Sequence, residues 1–137
     1  MSCIKEAYGI IFNHYHNYIG HYFRNLYHIL KFLSMKNLQF CIEEEADSIK
    51  VDGVPSNYYL ISADIGTFAD YVQSQMTSSE LFLLFYNAIF FEKTKVYVEQ
   101  FEFLENLVIE DLVNPIHCEF YKFKLKRRAD IVGQEYF

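Results

Sequence analysis

A mainly α fold, a helical bundle led by a long N-terminal helix, follows from three observations. Apolar residues keep a helical period from about Ile4 to Met35. Thr77-Ser78-Ser79-Glu80 has the capping-box form directly before the apolar run Leu81 to Phe91. Only 2 Pro and 5 Gly occur in 137 residues, which suits long regular segments better than a sandwich of short strands.

The first helix is expected to bury an arc made of Ile4, Tyr8, Ile11, Tyr15, Tyr22, Leu26, Ile29 and Leu33, with a weak point at Gly20. Its other side carries Asn13, His14, Asn17, His21, Arg24, His28 and Lys31 on one polar stripe. From Leu38 to Ile61 the pattern changes. Phe40 and Ile42, then Ile49 and Val51, alternate with polar residues around the turn signal Asp52-Gly53, so a short β-hairpin or loop insert is expected there.

Ser62 and Asp64 are plausible caps for a second helix that carries Ile65, Phe68, Ala69 and Val72 and ends near Met76. The capping box opens a third helix, apolar nearly all round and so the expected centre of the bundle. A fourth is expected from Thr94 through Val108. Asn114-Pro115 ends the helical stretch, and Tyr121, Phe123 and Leu125 then alternate with lysines in a strand-like period.

With 52% hydrophobic residues, including 14 Phe and 12 Tyr, the chain can fill one core, and residues 1–137 are expected to form a single helical domain. A net charge of −6 argues against binding nucleic acid by overall attraction. Base is nevertheless concentrated at Lys122, Lys124, Lys126, Arg127 and Arg128, which form either a solvated face or a seat for a phosphate or acidic partner. Cys3, Cys41 and Cys118 are odd in number and far apart, so neither a disulfide framework nor a zinc knuckle is indicated. No apolar run is long enough to span a bilayer, and a cytoplasmic protein without membrane insertion is expected.

The chemistry-bearing residues lie on the first helix. His21, Arg24 and His28 stand at i, i+3 and i+7 on one face. Imidazole exchanges protons near neutral pH and guanidinium holds phosphate through paired hydrogen bonds, a combination suited to metal-independent phosphodiester cleavage. These three are the candidate catalytic residues, with Tyr27, Asn25 and Glu80 as candidate binding residues. A solvent-facing histidine stripe, or an Arg24 held inside the bundle by Glu80 or Glu105, would explain the same pattern structurally. No His pair at i, i+4 and no H-E-x-x-H exists, so no metal is assigned. The absence of a Gly-rich phosphate loop and of a G-x-S-x-G elbow speaks against kinases, ordinary hydrolases and dinucleotide enzymes, and no cofactor is expected.

Gly20-His21-Tyr22-Phe23-Arg24-Asn25-Leu26-Tyr27-His28-Ile29-Leu30-Lys31-Phe32 resembles the signature of the putative phage abortive infection protein family. Tyr71-Val72 through Gln75, then Ser78 to Asn87, are similar to a second block of that family, and Phe103-Leu104-Glu105-Asn106-Leu107 to a third. Gln73 departs from the pattern, where many members carry Arg. The resemblance implies a bacterial anti-phage defence protein whose activation arrests the infected cell. A looser similarity links Arg24-Asn25-Leu26-Tyr27-His28 to the R-x4-6-H motif of HEPN ribonucleases, which act as dimers, with one residue fewer between Arg and His here.

Two functions remain open at this point: a ribonuclease using the His/Arg face on RNA, and a non-catalytic binding or sensor module docking a phage-derived or partner protein. A homodimer is expected from the surplus of aromatic surface on the first helix.

Overall fold

A computed structural model describes residues 2–44 and 61–130. Four helices, α1 (Ser2–Glu44), α2 (Ala63–Ser74), α3 (Ser78–Phe90) and α4 (Glu92–Gln100), precede two short 3₁₀ turns, Ile109–Asp111 and Pro115–Phe120. The fold is mainly α, as the sequence predicts. No helix among the described residues is long and apolar enough to cross a membrane.

Helix α1 is the spine against which α2, α3 and α4 all pack. Its buried stripe is Phe23, Leu26, Leu30 and Leu33, continued by Asn37 and Cys41. This corrects the expected arc in part: Tyr8, Leu26 and Leu33 are buried as expected, whereas Ile11, Tyr15, Tyr22 and Ile29 are exposed. The helical period holds, and the buried stripe is centred closer to Phe23 and Leu30 than the expected arc. Tyr22, Phe23, Leu26, Ile29, Leu30, Phe32 and Leu33 supply two overlapping apolar stripes, and the partner helices decide which is covered.

The break in α1 falls at Tyr15 (φ −115°, ψ 18°), while Gly20 lies in regular helix. Asn13-His14-Tyr15-His16-Asn17 is a run of weak helix formers, and His16 Nδ1 lies 3.2 Å from the carbonyl oxygen of Asn13. In its Nδ1–H tautomer that imidazole takes an acceptor of the helix ladder, a recognised cause of kinks.

The helix also runs past Met35 to Glu44, so Leu38 to Glu44, including Phe40 and Ile42, are helical, contrary to the expected hairpin or loop. Residues 45–60, the rest of that insert, lie outside the described residues.

Ser62 caps α2 by accepting from the Ile65 N–H at 3.3 Å. Thr77 and Glu80 form the reciprocal capping box of α3, with Glu80 N–H donating to Thr77 Oγ1 at 3.1 Å. Helix α3 is central: Leu81, Leu84, Phe85, Tyr86, Ala88 and Ile89 are all buried.

Helix α4 is displaced from its expected position. It starts at Glu92 after a sharp extended residue, Phe91 (φ −111°, ψ 95°), and stops at Gln100, well short of Val108. Glu102 adopts a left-handed backbone (φ 47°), which ends the helix and lets Phe103 N–H bond to the Val98 carbonyl at 2.9 Å. Phe103, Leu104, Leu107 and Val108 still reach the core, but from turns.

The strand expected over Tyr121 to Leu125 does not form among the described residues: 121–123 are bends, with Tyr121 and Leu125 buried and Lys122 and Lys124 exposed. A parallel bridge joins Val108 and Lys126. Part of the basic cluster is satisfied within the chain: Lys126 pairs with Glu105 at 3.2 Å and Arg128 with Asp111 at 2.8 Å.

Candidate binding cleft beside the first helix

Where α1 passes the α3–α4 junction, a cleft of about 800 Å³ opens. Gly20, Phe23, Arg24 and Tyr27 form its α1 wall, and Asn87 with Phe90 to Thr94 form the facing wall. Backbone bonding at the junction shapes the opening. The chain turns at Phe91 without Gly or Pro, closing α3 through Phe91 N–H to Asn87 O at 2.9 Å and starting α4 through Thr94 N–H to Phe91 O at 3.0 Å.

The rings of Phe12, Phe90 and Phe91 form one aromatic cluster, with Phe12 and Phe91 centroids 5.3 Å apart and Phe90 and Phe91 4.8 Å apart. Behind them Tyr8 is buried and accepts a hydrogen bond from Asn87 Nδ2 at 2.7 Å. Burial raises the Tyr8 phenol above its ordinary pKa, against the opposing effect of Asn87. Tyr27 is half-buried, its ring centroid 5.7 Å from that of Tyr97.

Among the described residues Arg24 makes no ion pair and no hydrogen bond. The two acids that could have locked it are engaged elsewhere: Glu80 accepts from the Tyr22 hydroxyl, and Glu105 pairs with Lys126. Helical geometry accounts for the first case. Tyr22 lies about 160° round the helix from Arg24, so a carboxylate that reaches one cannot reach the other. The Tyr22 bond holds the Glu80 carboxyl below its usual range. Burial, with Glu80 beside it, pushes the Tyr22 phenol up to about 12.

The remaining candidates separate from the cleft. His21, Asn25 and His28 are exposed and are not part of its lining. His21 and His28 stand about 60° and 40° from Arg24, on the side turned away from Gly20 and Tyr27. Thus the structure brings Arg24 and Tyr27 to one cleft, leaves the imidazoles on the open stripe, and gives Glu80 to the opposite flank. Among the described residues no three His, Cys, Asp or Glu side chains gather closely enough to hold a metal ion.

Lys5, Asn87, Phe91, Lys93 and Thr94 also line the cleft and were not singled out from the sequence as a site. The available signal was the acid-then-base pair Glu92-Lys93 directly after an apolar run, which marks a new helix start as well as Thr94 does.

The family described as "Putative phage abortive infection protein" matches this chain over residues 14–112, well over half of it. The chain belongs to this family. No curated protein and no solved structure matches it. The part aligned with the abortive infection family contains Arg24, Tyr27, Asn87 and the Phe90 to Thr94 turn, whereas Lys5 and Phe12 precede it. Gln73, within the matched residues, is buried, and its Oε1 accepts from the Asn106 N–H at 2.9 Å. In this chain that position ties α2 to the turn after α4.

Proposed function

We propose that this chain serves anti-phage defence as a cytoplasmic recognition module, in which the cleft beside Arg24 binds an anionic ligand produced or exposed in the infected cell. Abortive infection then follows from occupancy of the cleft. The observation that carries this reading is Arg24 itself, a guanidinium at an aromatic-lined cleft with no acidic partner among the described residues. Such a group retains its full capacity for paired hydrogen bonds to a carboxylate or phosphate. Recognition is favoured over acid-base chemistry in the cleft because His21 and His28 lie outside its lining, and a general base must reach the proton it removes.

Expressed at equal abundance, Arg24→Ala should melt at the wild-type temperature and lose protection against phages that the wild-type chain blocks. Undiminished protection would reject the reading.

A catalytic version has one observation in its favour: His21, Arg24 and His28 are all exposed on one stripe of α1, open to an extended RNA strand. Purified protein should then fragment total RNA in the presence of chelator, and His28→Ala should stop it. RNA that stays intact under these conditions removes this version. Self-association as a homodimer belongs to either version, through the exposed apolar flank of α1 that includes Tyr18, Tyr22 and Ile29.

A further inference from the structure

We propose that the cleft is a nucleotide site, which takes a ribonucleoside phosphate with its phosphate at the N-terminus of α4 and its base among the aromatic rings. The inference rests on the recognition reading above and names the ligand class.

Helix α4 begins without a side-chain cap, because Phe91 occupies the N-cap position. The Thr94 and Lys95 N–H groups bond to the Phe91 carbonyl, at 3.0 and 3.2 Å, while those of Glu92 and Lys93 have no acceptor among the described residues. Uncapped N–H groups at a helix start, with the positive end of its dipole, attract anions. Thr94 gives a second, independent indication. It lines the cleft, is only 6% exposed, and its hydroxyl has no hydrogen-bond partner among the described residues. Buried hydroxyls are normally paired, so one left open beside an uncapped helix start calls for a ligand oxygen.

Charge around this point agrees with an anion. Lys5, Arg24 and Lys93 line the cleft against one carboxylate, Glu92, in a chain whose net charge is −6. Glu92 opposes the phosphate, and its neutralisation should tighten binding.

The rest of the cleft fits a base better than a bare anion. Phe12, Phe23, Tyr27, Phe90 and Phe91 offer ring faces and edges, and every nucleobase has a π-face to lay against them. Asn87, 2% exposed, gives one amide contact to Tyr8, and the remainder of its amide has no partner among the described residues. That leaves hydrogen-bonding capacity for a base edge or a ribose hydroxyl. The volume of about 800 Å³ lies within the roughly 300–1,000 Å³ of small-molecule sites.

Isothermal titration calorimetry of the full chain with the four ribonucleoside mono- and triphosphates, adenosine and inorganic phosphate tests this. At least one nucleotide should saturate with a Kd below about 1 mM, and adenosine and phosphate should each bind about tenfold more weakly or less. Arg24→Ala and Thr94→Val should each weaken the nucleotide about tenfold at unchanged melting temperature, and Glu92→Gln should strengthen it. Should Thr94→Val melt lower, Thr94→Ser decides, since it keeps the hydroxyl and should bind like wild type.

Failure of every nucleotide to saturate, phosphate binding as tightly as any nucleotide, or wild-type affinity in Arg24→Ala would each overturn the inference. The two proposals fail separately. Loss of defence in Arg24→Ala without nucleotide binding sinks the ligand class alone, and nucleotide binding with defence intact in Arg24→Ala sinks the functional reading alone.

Discussion

The Tyr22 hydroxyl donates a hydrogen bond to a carboxylate oxygen of Glu80, tying the middle of α1 to the first turn of α3. The same carboxylate closes the capping box with Thr77, so one acidic side chain joins a helix start to the neighbouring helix. It also leaves Arg24, on the other flank of α1, without that partner.

Tyr22→Phe should therefore lower stability by about 1 kcal/mol, less than a buried hydrogen bond to a charged group is worth because this one is exposed to solvent. Its pH signature has two ends. Glu80 is held below its ordinary 4.5, so its contribution is present above that value and is lost as pH falls through the lowered pKa. Tyr22 is raised from 10.0 to about 12, so its contribution is present below pH 10.0 and is lost as pH rises towards 12. Thermal melts across pH should show both losses in wild type and weaker ones in Tyr22→Phe. Parallel curves would show that the bond contributes nothing.

Gln73→Leu should cost about 1–3 kcal/mol, because it strands the Asn106 N–H behind α2 while keeping the buried volume. Urea denaturation measures it. An unchanged midpoint would mean that the turn after α4 finds another acceptor.

Glu102→Gly should stabilise the chain by about 1 kcal/mol, since a residue with a Cβ is held there in the left-handed region at φ 47°. Gly20→Ala should act in the same direction by about 1 kcal/mol, as the added Cβ removes a helix-interior glycine and meets Phe12 Cζ at an ordinary 3.8 Å. Differential scanning calorimetry should show a higher melting temperature for each, and a lower one would contradict these backbone assignments.

Tyr18 is 81% exposed on the apolar flank of α1. Under the homodimer proposal, multi-angle light scattering should give twice the 16.4 kDa chain mass for wild type and a single chain mass for Tyr18→Glu. A monomer at high concentration would end that proposal.

Features with a local chemical signature were legible in the sequence. The capping box at Thr77 and Glu80, the Ser62 cap and the all-round apolar α3 all appear where spacing puts them, because each depends on neighbours within one turn. The buried phase of α1 was not legible. Two apolar stripes compete on that helix, and the choice between Tyr22/Ile29 and Phe23/Leu30 is made by contacts with α3 and α4 that no local pattern encodes.

The polar stripe had the same limit: its exposure could be read, yet the junction at Phe91 determines that Arg24 and Tyr27 border a cleft and His21 and His28 do not. A helix break at Phe91 without Gly or Pro leaves almost no sequence signal. That is why Asn87, Lys93 and Thr94 escaped notice as a site.

Plaque formation on lawns expressing wild type, Arg24→Glu, His21→Ala or His28→Ala at matched abundance tests the central claim most directly. The account predicts that Arg24→Glu alone abolishes protection, while both histidine variants protect like wild type. Protection that survives Arg24→Glu, or that disappears with either histidine, would contradict it.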